Sequence, residues 1–252
     1  MNKHLTIFLF LFSTLLFAET ISFTPSIKVI YKAEMKLGEN LSKQQNFVLI
    51  GNDSNYYFAG AQHYLNDTKQ YISSGVDTQA VSDYFQERII KYNSNYTVLY
   101  TFADTKIGYQ DADRTKWVLY GDTKVINGVK CQMAATNLYG RRWVAYFSKE
   151  YSQKIGPYKF SNLPGLIFEI YDTKKDYHFT AVKIEKFSNY FSFSSSSYNF
   201  FSKKNYLTAK YNLDYLGAGY PPMEGAMRKE YEGMMEKKKK MYNNPIEIRP
   251  LE

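Results

Sequence analysis

The sequence is poor in the residues that most often carry catalysis, metal binding and covalent cross-linking. Its 252 residues include one Cys, three His and two Trp. The single cysteine, Cys131, cannot form an intrachain disulfide, and it excludes a multi-cysteine zinc site within this chain. Seven Pro and fourteen Gly exclude collagen-like and low-complexity architectures. With 44% apolar and 22% charged residues, the composition is that of a folded, water-soluble protein.

Long hydrophobic runs are also scarce, and the one that exists stands at the beginning. Lys3 and His4 precede an apolar run from Leu5 to Phe17, and the small residue Ala18 follows it. This order is typical of a secretory signal peptide, and the run is too short to span a bilayer of about 30 Å as a helix. We therefore predict that residues 1–18 are a signal peptide and that the protein is exported; an uncleaved N-terminal anchor is the alternative.

Aromatic residues, in contrast, are abundant: 25 Tyr and 18 Phe. They occur in short apolar segments separated by turn residues, and such segments are typical of β-strands. The clearest hairpin has strands Leu166 to Tyr171 and Tyr177 to Phe187, with a polar five-residue loop between them. We predict a mainly β fold, with a curved antiparallel sheet of half-barrel or bowl-like form.

Three regions depart from the strand pattern. Ser82 to Lys91 is compatible with a short helix or an edge strand, and Phe187 to Lys204 with a loop or irregular strands. After Pro221-Pro222, Glu224 to Lys240 carries Met and Tyr at spacings of three and four residues, which predicts a C-terminal α-helix. We therefore divide the chain into the signal peptide, a β-rich domain at 19–220, and a basic helix and tail at 221–252.

Motifs for catalysis are absent from the sequence. Nucleophile elbows, phosphate-binding loops, paired-histidine zinc motifs and EF-hand spacings do not occur. Folding could pair some carboxylates, as glycosidases require, although exposed turn positions are their ordinary role. The candidates are Asp111, Asp113, Glu169 and Asp172. We read His178 as a structural imidazole and Cys131 as a small buried residue. We predict no catalytic residue, no cofactor and no metal.

In the segment of residues 156–167, proline and glycine specify the path of the backbone. Two Pro and two Gly bend the chain, apolar residues flank each bend, and the segment leads directly into the strand from Leu166. The segment predicts either a structural corner that orders the entry to the hairpin or a ligand-binding loop. With the nearby Arg141 and Trp143, the candidate binding residues are Gly156, Pro157, Tyr158, Lys159, Phe160, Asn162, Leu163, Pro164, Gly165, Leu166 and Ile167.

This segment resembles the GLPGLI family, exported proteins of Bacteroidetes that are mostly of unknown function. The stretch from Asn162 to Ile167 matches five of the six motif positions, with Asn162 in place of the first Gly. The resemblance covers residues 117–172 densely and returns at Asn244-Pro245-Ile246-Glu247. It implies a signal-bearing, periplasmic or outer-membrane-associated protein with mainly antiparallel β structure. If the family glycine has a positive φ, Asn is the next most tolerant residue there.

We therefore predict an exported, non-catalytic binding or interaction module. Tyrosine offers broad contact area and a hydroxyl, which suits an envelope glycan, a lipid headgroup or an outer-membrane protein. Nucleic acid is not an expected partner outside the cytoplasm. A basic run, Lys237, Lys238, Lys239 and Lys240, is either a solvated helix face or a peripheral contact with anionic membrane surface. The alternatives are a carboxylate-based envelope hydrolase and a structural partner of an outer-membrane complex.

Overall fold

A computed structural model describes residues 20–71 and 84–251, which form a mainly β protein with a large, curved, unclosed sheet and a C-terminal helix. The predicted signal peptide lies outside the described residues. The strands are β1 (Thr20–Phe23), β2 (Ile27–Gly38), β3 (Leu41–Gly51), β4 (Tyr56–Gly60), β5 (Arg88–Tyr92), β6 (Asn95–Phe102), β7 (Thr105–Ala112), β8 (Val118–Ile126), β9 (Val129–Leu138), β10 (Arg141–Ser148), β11 (Leu166–Asp172), β12 (Tyr177–Lys186), β13 (Phe191–Ser194) and β14 (Asn199–Phe200). The helices are α1 (Ala61–Asp67), α2 (Lys203–Tyr215) and α3 (Gly225–Met241).

Among the described residues, twelve strands form the main sheet in the order β14-β7-β6-β5-β4-β3-β2-β12-β11-β10-β9-β8, and β1 pairs with β13 separately. The pairs are antiparallel except for β14 with β7. Register shifts occur in β2, β8, β10 and β12, and such bulges bend a strand and increase its twist. The predicted curved antiparallel sheet and the 166–187 hairpin are confirmed.

Both faces of the sheet carry an apolar core. The larger core covers what we call the inner face, where Val29, Tyr31, Ala33 and Met35 of β2 alternate toward it, as the two-residue period of a strand requires. The segment 154–165, helix α2 and the C-terminal tail at 242–251 pack on this face. On the outer face, a smaller core joins β3–β6 to β1, β13 and α1.

The structure has two helices that the sequence did not predict. The C-terminal helix predicted at Glu224 to Lys240 is confirmed as α3, but α1 and α2 were not predicted. Ser202 caps α2 by accepting a hydrogen bond from the Asn205 backbone N–H, and Tyr206 and Leu213 bury one side of it. The region 82–91 is neither helix nor edge strand where the structure describes it, because β5 lies between β4 and β6. Residues 82 and 83 lie outside the described part.

Candidate functional site

The segment 156–167 crosses the inner face and is largely buried. Phe160 is fully buried, with its ring centroid 4.6 Å from that of Trp143 and 5.8 Å from that of Tyr158. Trp117 anchors the next residue, because its indole N–H donates to the Ser161 carbonyl at 2.8 Å. The predicted corner is therefore held by the packing of Phe160 against Trp143 of β10 and by the hydrogen bond from Trp117.

Two non-glycine residues of the segment have left-handed backbones. Asn162 has φ +67°, so the expectation that this position needs a residue tolerant of positive φ is confirmed. Its side chain is also used, because Oδ1 accepts from Lys91 at 2.8 Å and Nδ2 donates to Asp113 at 2.7 Å. Tyr158 has φ +54°, which is strained for a bulky residue and persists only where its surroundings hold it.

A ring of four charged groups lies beside Tyr158. Lys159, which is 1% exposed, pairs with Asp111 at 3.2 Å and also with Glu247. Lys203 pairs with the same two carboxylates, at 2.9 and 3.0 Å. The Tyr139 ring contacts both ammonium groups, with centroid distances of 4.4 and 4.0 Å, and its hydroxyl donates to Asp111. The ring joins the 156–167 segment, β7, α2 and the C-terminal tail.

Burial and charge act against each other within this ring. Burial alone would raise the pKa of Asp111, but Lys159 and Lys203 outweigh it and hold that pKa below its ordinary value. Burial lowers the pKa of Lys159, and Glu247 opposes that shift only in part. Breaking any pair of the ring would therefore leave a charge in a poorly hydrated place.

A second polar cluster fixes the start of the motif. Lys91 donates to Ser161 at 2.6 Å and pairs with Asp113 at 3.1 Å. Tyr96 donates to the same aspartate at 3.0 Å. Burial alone would raise the pKa of Asp113, but the Thr115 backbone N–H and Lys91 outweigh it, so this pKa is also lowered.

Arg141 holds the C-terminal tail. Its Nη1 donates to Asp172 at 3.1 Å and to Asp176 at 3.0 Å. On the other side it donates to the tail: Nε to the Ile246 carbonyl at 3.0 Å, and Nη2 to Asn244 Oδ1 and the Pro245 carbonyl, both at 2.7 Å. The segments that carry the family resemblance thus meet in space, because Arg141, Lys159 and the 244–247 tail form one connected set of contacts.

A cavity of about 640 Å³ opens between the inner face, α2, α3 and the tail. This volume is within the range of small-molecule sites, about 300–1,000 Å³. Its lining is rich in aromatic residues, including eight tyrosines: Tyr84, Tyr109, Tyr158, Tyr177, Tyr206, Tyr211, Tyr215 and Tyr242. Of the predicted site residues, only Tyr158 lines this cavity. Lys159 and Arg141 do not line it, but Lys159 contacts the lining residue Glu247 and Arg141 contacts the tail that forms part of the wall.

The cavity also contains one small polar cluster. Lys210 lies 2.6 Å from Asp214 and 3.9 Å from Glu87. Burial alone would lower the pKa of Lys210, but these two carboxylates outweigh it and raise that pKa, so the ammonium stays charged. Tyr100 donates to Asp214 at 2.5 Å.

The other residues that the sequence singled out lie away from this cavity. Glu169 contacts His178 at 2.8 Å and pairs with Lys124, while Asp172 binds Arg141. Cys131 is buried, and burial raises the pKa of its thiol to about 11, as expected for an inert cysteine. Within residues 20–71 and 84–251, no group of three or more His, Cys, Asp or Glu side chains could hold a metal ion.

The basic run on α3 is partly engaged by the protein itself. Lys238 donates to the Asp214 carbonyl at 3.0 Å, and Lys239 donates to Glu236 at 2.7 Å. Lys237 and Lys240 are exposed. No helix in the described part of the chain is long and apolar enough to cross a membrane.

Sequence reasoning missed Lys203, Tyr206 and Lys210 because it did not predict α2, which carries all three. Ser202 as an N-cap was the one local signal for that helix. A second groove, of about 710 Å³, is lined by residues of 25–27, 150–153 and 184–188 and contains none of the predicted site residues.

Comparison with known proteins gives a likeness of fold. No family model matches the chain, and no curated protein matches it. Two crystal forms of a protein named PNGF-II align with a TM-score of 0.55 and 11% identity over 75% of this chain. This chain spans about a third of the length of PNGF-II, 34% and 33% in the two forms. A LolA superfamily protein from Nitrosomonas europaea aligns with a TM-score of 0.31 and 6% identity, over 66% of this chain and 87% of that one.

Proposed function

We propose that this chain is an exported cell-envelope protein of the GLPGLI type that acts as a non-catalytic binding module, in the periplasm or at the outer membrane. The observation that carries the proposal is the tyrosine-lined cavity of about 640 Å³ on the inner face. Large apolar cavities with a few polar groups are the usual form of small-molecule sites. The fold and the cavity are compatible with a carrier, a sensor or a receptor for a small envelope molecule.

The carboxylates support binding more than hydrolysis. A glycosidase needs one carboxyl group with a raised pKa as general acid. Ion pairs and hydrogen bonds outweigh burial and lower the pKa of Asp111, Asp113 and Glu169 instead. These groups are deprotonated near neutral pH and are already engaged by lysine, histidine or tyrosine, so they act here as structural anions.

The family assignment and the location rest on the sequence resemblance and the N-terminal apolar run. Contacts of Arg141 with Asn244, Pro245 and Ile246 support the resemblance, because they unite segments that it singled out separately. An envelope glycan, a lipid headgroup and an outer-membrane protein remain the partner classes under this proposal. Lys237 and Lys240 are the lysines available for a peripheral contact with anionic membrane surface.

Native mass spectrometry after incubation with an envelope extract tests the proposal. We compare the wild type with Leu207→Trp, which places a bulky ring in the cavity wall, and with Asn205→Trp on the exposed side of the same helix. We expect a small molecule bound to the wild type and to Asn205→Trp, and lost from Leu207→Trp. Turnover of an envelope polymer by the wild type that ceases in Asp111→Asn would refute the non-catalytic role.

A further inference from the structure

The charged side chains in the cavity wall are already paired. Asp214 and Glu87 flank Lys210, with ion-pair distances of 2.6 and 3.9 Å. Glu247 lies between Lys159 and Lys203, and Lys239 pairs with Glu236 outside the cavity. A charged ligand would therefore enter an apolar space in which each ion has an internal partner, and it would lose hydration without gaining a counter-ion.

Three tyrosine hydroxyls of the wall are also engaged within the protein. Tyr158 donates to Glu247 at 2.5 Å, and Tyr177 donates to the Asn244 carbonyl at 2.6 Å. Tyr109 accepts from Lys159 at 3.2 Å. These residues consequently present ring faces and edges to the cavity.

Tyr206 adds apolar surface to this wall. It is 2% exposed, and its hydroxyl, which has no hydrogen-bond partner among the described residues, is buried inside the wall where a molecule in the cavity does not reach it. Its ring packs against the Tyr109 ring, with centroids 4.6 Å apart.

We propose, as a refinement that rests on the binding role above, that the cavity takes an uncharged, mostly apolar small molecule. A hydrocarbon chain ending in a hydroxyl or carbonyl and a fused ring system bearing one such group share this chemistry. Aromatic ring faces supply contact with either, and the paired ions of the wall disfavour a charged group.

The charge part of the proposal is tested with two fluorescent probes that share one ring system. Anilinonaphthalene is neutral, whereas its sulfonate carries a negative charge. We expect anilinonaphthalene to bind the wild type about tenfold or more tightly than the sulfonate, with little change in affinity between low and high salt. Leu207→Trp should lose the binding of anilinonaphthalene, while Asn205→Trp, on the exposed side of α2, should keep it.

Displacement of the bound probe separates the two ligand sources. Dodecanol represents the hydrocarbon-chain ligands, and naphthol represents the fused-ring ligands. Dodecanoate and dodecylammonium are the charged controls. Displacement by dodecanol or naphthol at concentrations well below those of the charged molecules supports the proposal and tells which source fits. Equal displacement by the charged molecules would overturn it while leaving the binding role intact. Failure of every probe and displacer to bind would overturn the binding role as well.

Discussion

Removal of the Arg141 side chain should both destabilise the fold and release the C-terminal tail. The guanidinium is 4% exposed and makes five hydrogen bonds, two to the carboxylates of Asp172 and Asp176 and three to the tail. It also stacks against the Tyr177 ring, 4.9 Å from its centroid. In Arg141→Ala, one buried carboxylate and one largely buried carboxylate lose their cation.

The magnitude follows from this burial. Breaking a buried ion pair by removing one partner costs about 3–5 kcal/mol, because the other charge is left without compensation. The three tail acceptors add less, since a released tail regains hydrogen bonds from water. We therefore expect Arg141→Ala to lower the free energy of unfolding by about 3–5 kcal/mol. Arg141→Lys keeps the charge but lacks the planar five-donor geometry of Arg. Its free energy of unfolding should therefore lie between those of the wild type and Arg141→Ala.

The neighbouring Arg142 supplies the control. It is half-buried and contacts the Tyr120 hydroxyl at 3.1 Å and Asn137 at 3.5 Å. Arg142→Ala should cost less than about 1 kcal/mol. Urea unfolding measures the free energies, and hydrogen exchange measures protection of residues 242–251, which should fall only in the Arg141 variants. A cost of Arg141→Ala no larger than that of Arg142→Ala, with unchanged tail protection, would refute this account of the tail.

Three further predictions concern the backbone, the acid range and the N-terminus. A Cβ added at Gly165 would lie 2.0 Å from the Ser148 carbonyl oxygen, so Gly165→Ala should cost about 2 kcal/mol or more in urea unfolding. Gly233→Ala, with open space around the added carbon, should be neutral or stabilise by up to about 1 kcal/mol. The pKa of Asp111 is lowered in the folded protein, so as the pH falls this carboxylate is protonated in the unfolded chain before it is protonated in the folded one. The free energy of unfolding should therefore hold at neutral pH and decline below about pH 4. The decline should be less steep in Asp111→Asn. Deletion of residues 1–18 should retain the protein in the cytoplasm, as cell fractionation will show; export of the truncated chain would contradict the signal-peptide assignment.

The sequence predicted those elements whose signals are local. The alternation of Val29, Tyr31, Ala33 and Met35 marks β2, and the polar loop before Tyr177 marks the hairpin. In contrast, α2 buries only Tyr206 and Leu213, seven residues apart, among lysines and other polar residues. One buried pair over thirteen residues is too weak a period to predict a helix.

The position of a strand within the sheet was harder to predict than its existence. β5 is short and carries Arg88 at its first position and Lys91 next to its last, as edge strands often do. It nevertheless lies between β4 and β6, and its charges are accommodated because Arg88 pairs with Asp67 of α1 on the outer face and Lys91 with Asp113 on the inner face. Both partners lie more than twenty residues away in sequence, so spacing alone could not identify them.

The candidate site depends on contacts that are more distant still. Lys159 and Glu247 pair across 88 residues of sequence. No local sequence pattern indicates that a lysine and a glutamate at that separation form a pair. What the sequence could supply was backbone chemistry. Asn162 was expected to tolerate a positive φ, and it does so with its side chain joined to Lys91 and Asp113.

The 156–167 segment has a structural role that also bears on the cavity, because its charged residue, Lys159, fixes the shape of the cavity. Apolar contacts alone would let the tail settle at several depths on an aromatic surface, since they have no preferred direction. An ion pair buried between Lys159 and Glu247 is costly to form and is broken by a small slip, so it selects one register for the tail. The tail then supplies one wall of the cavity, and Tyr158, held beside Lys159 in a strained conformation, supplies another. The buried corner thus sets the shape of the cavity, although Tyr158 is the one residue of the predicted site that lines it.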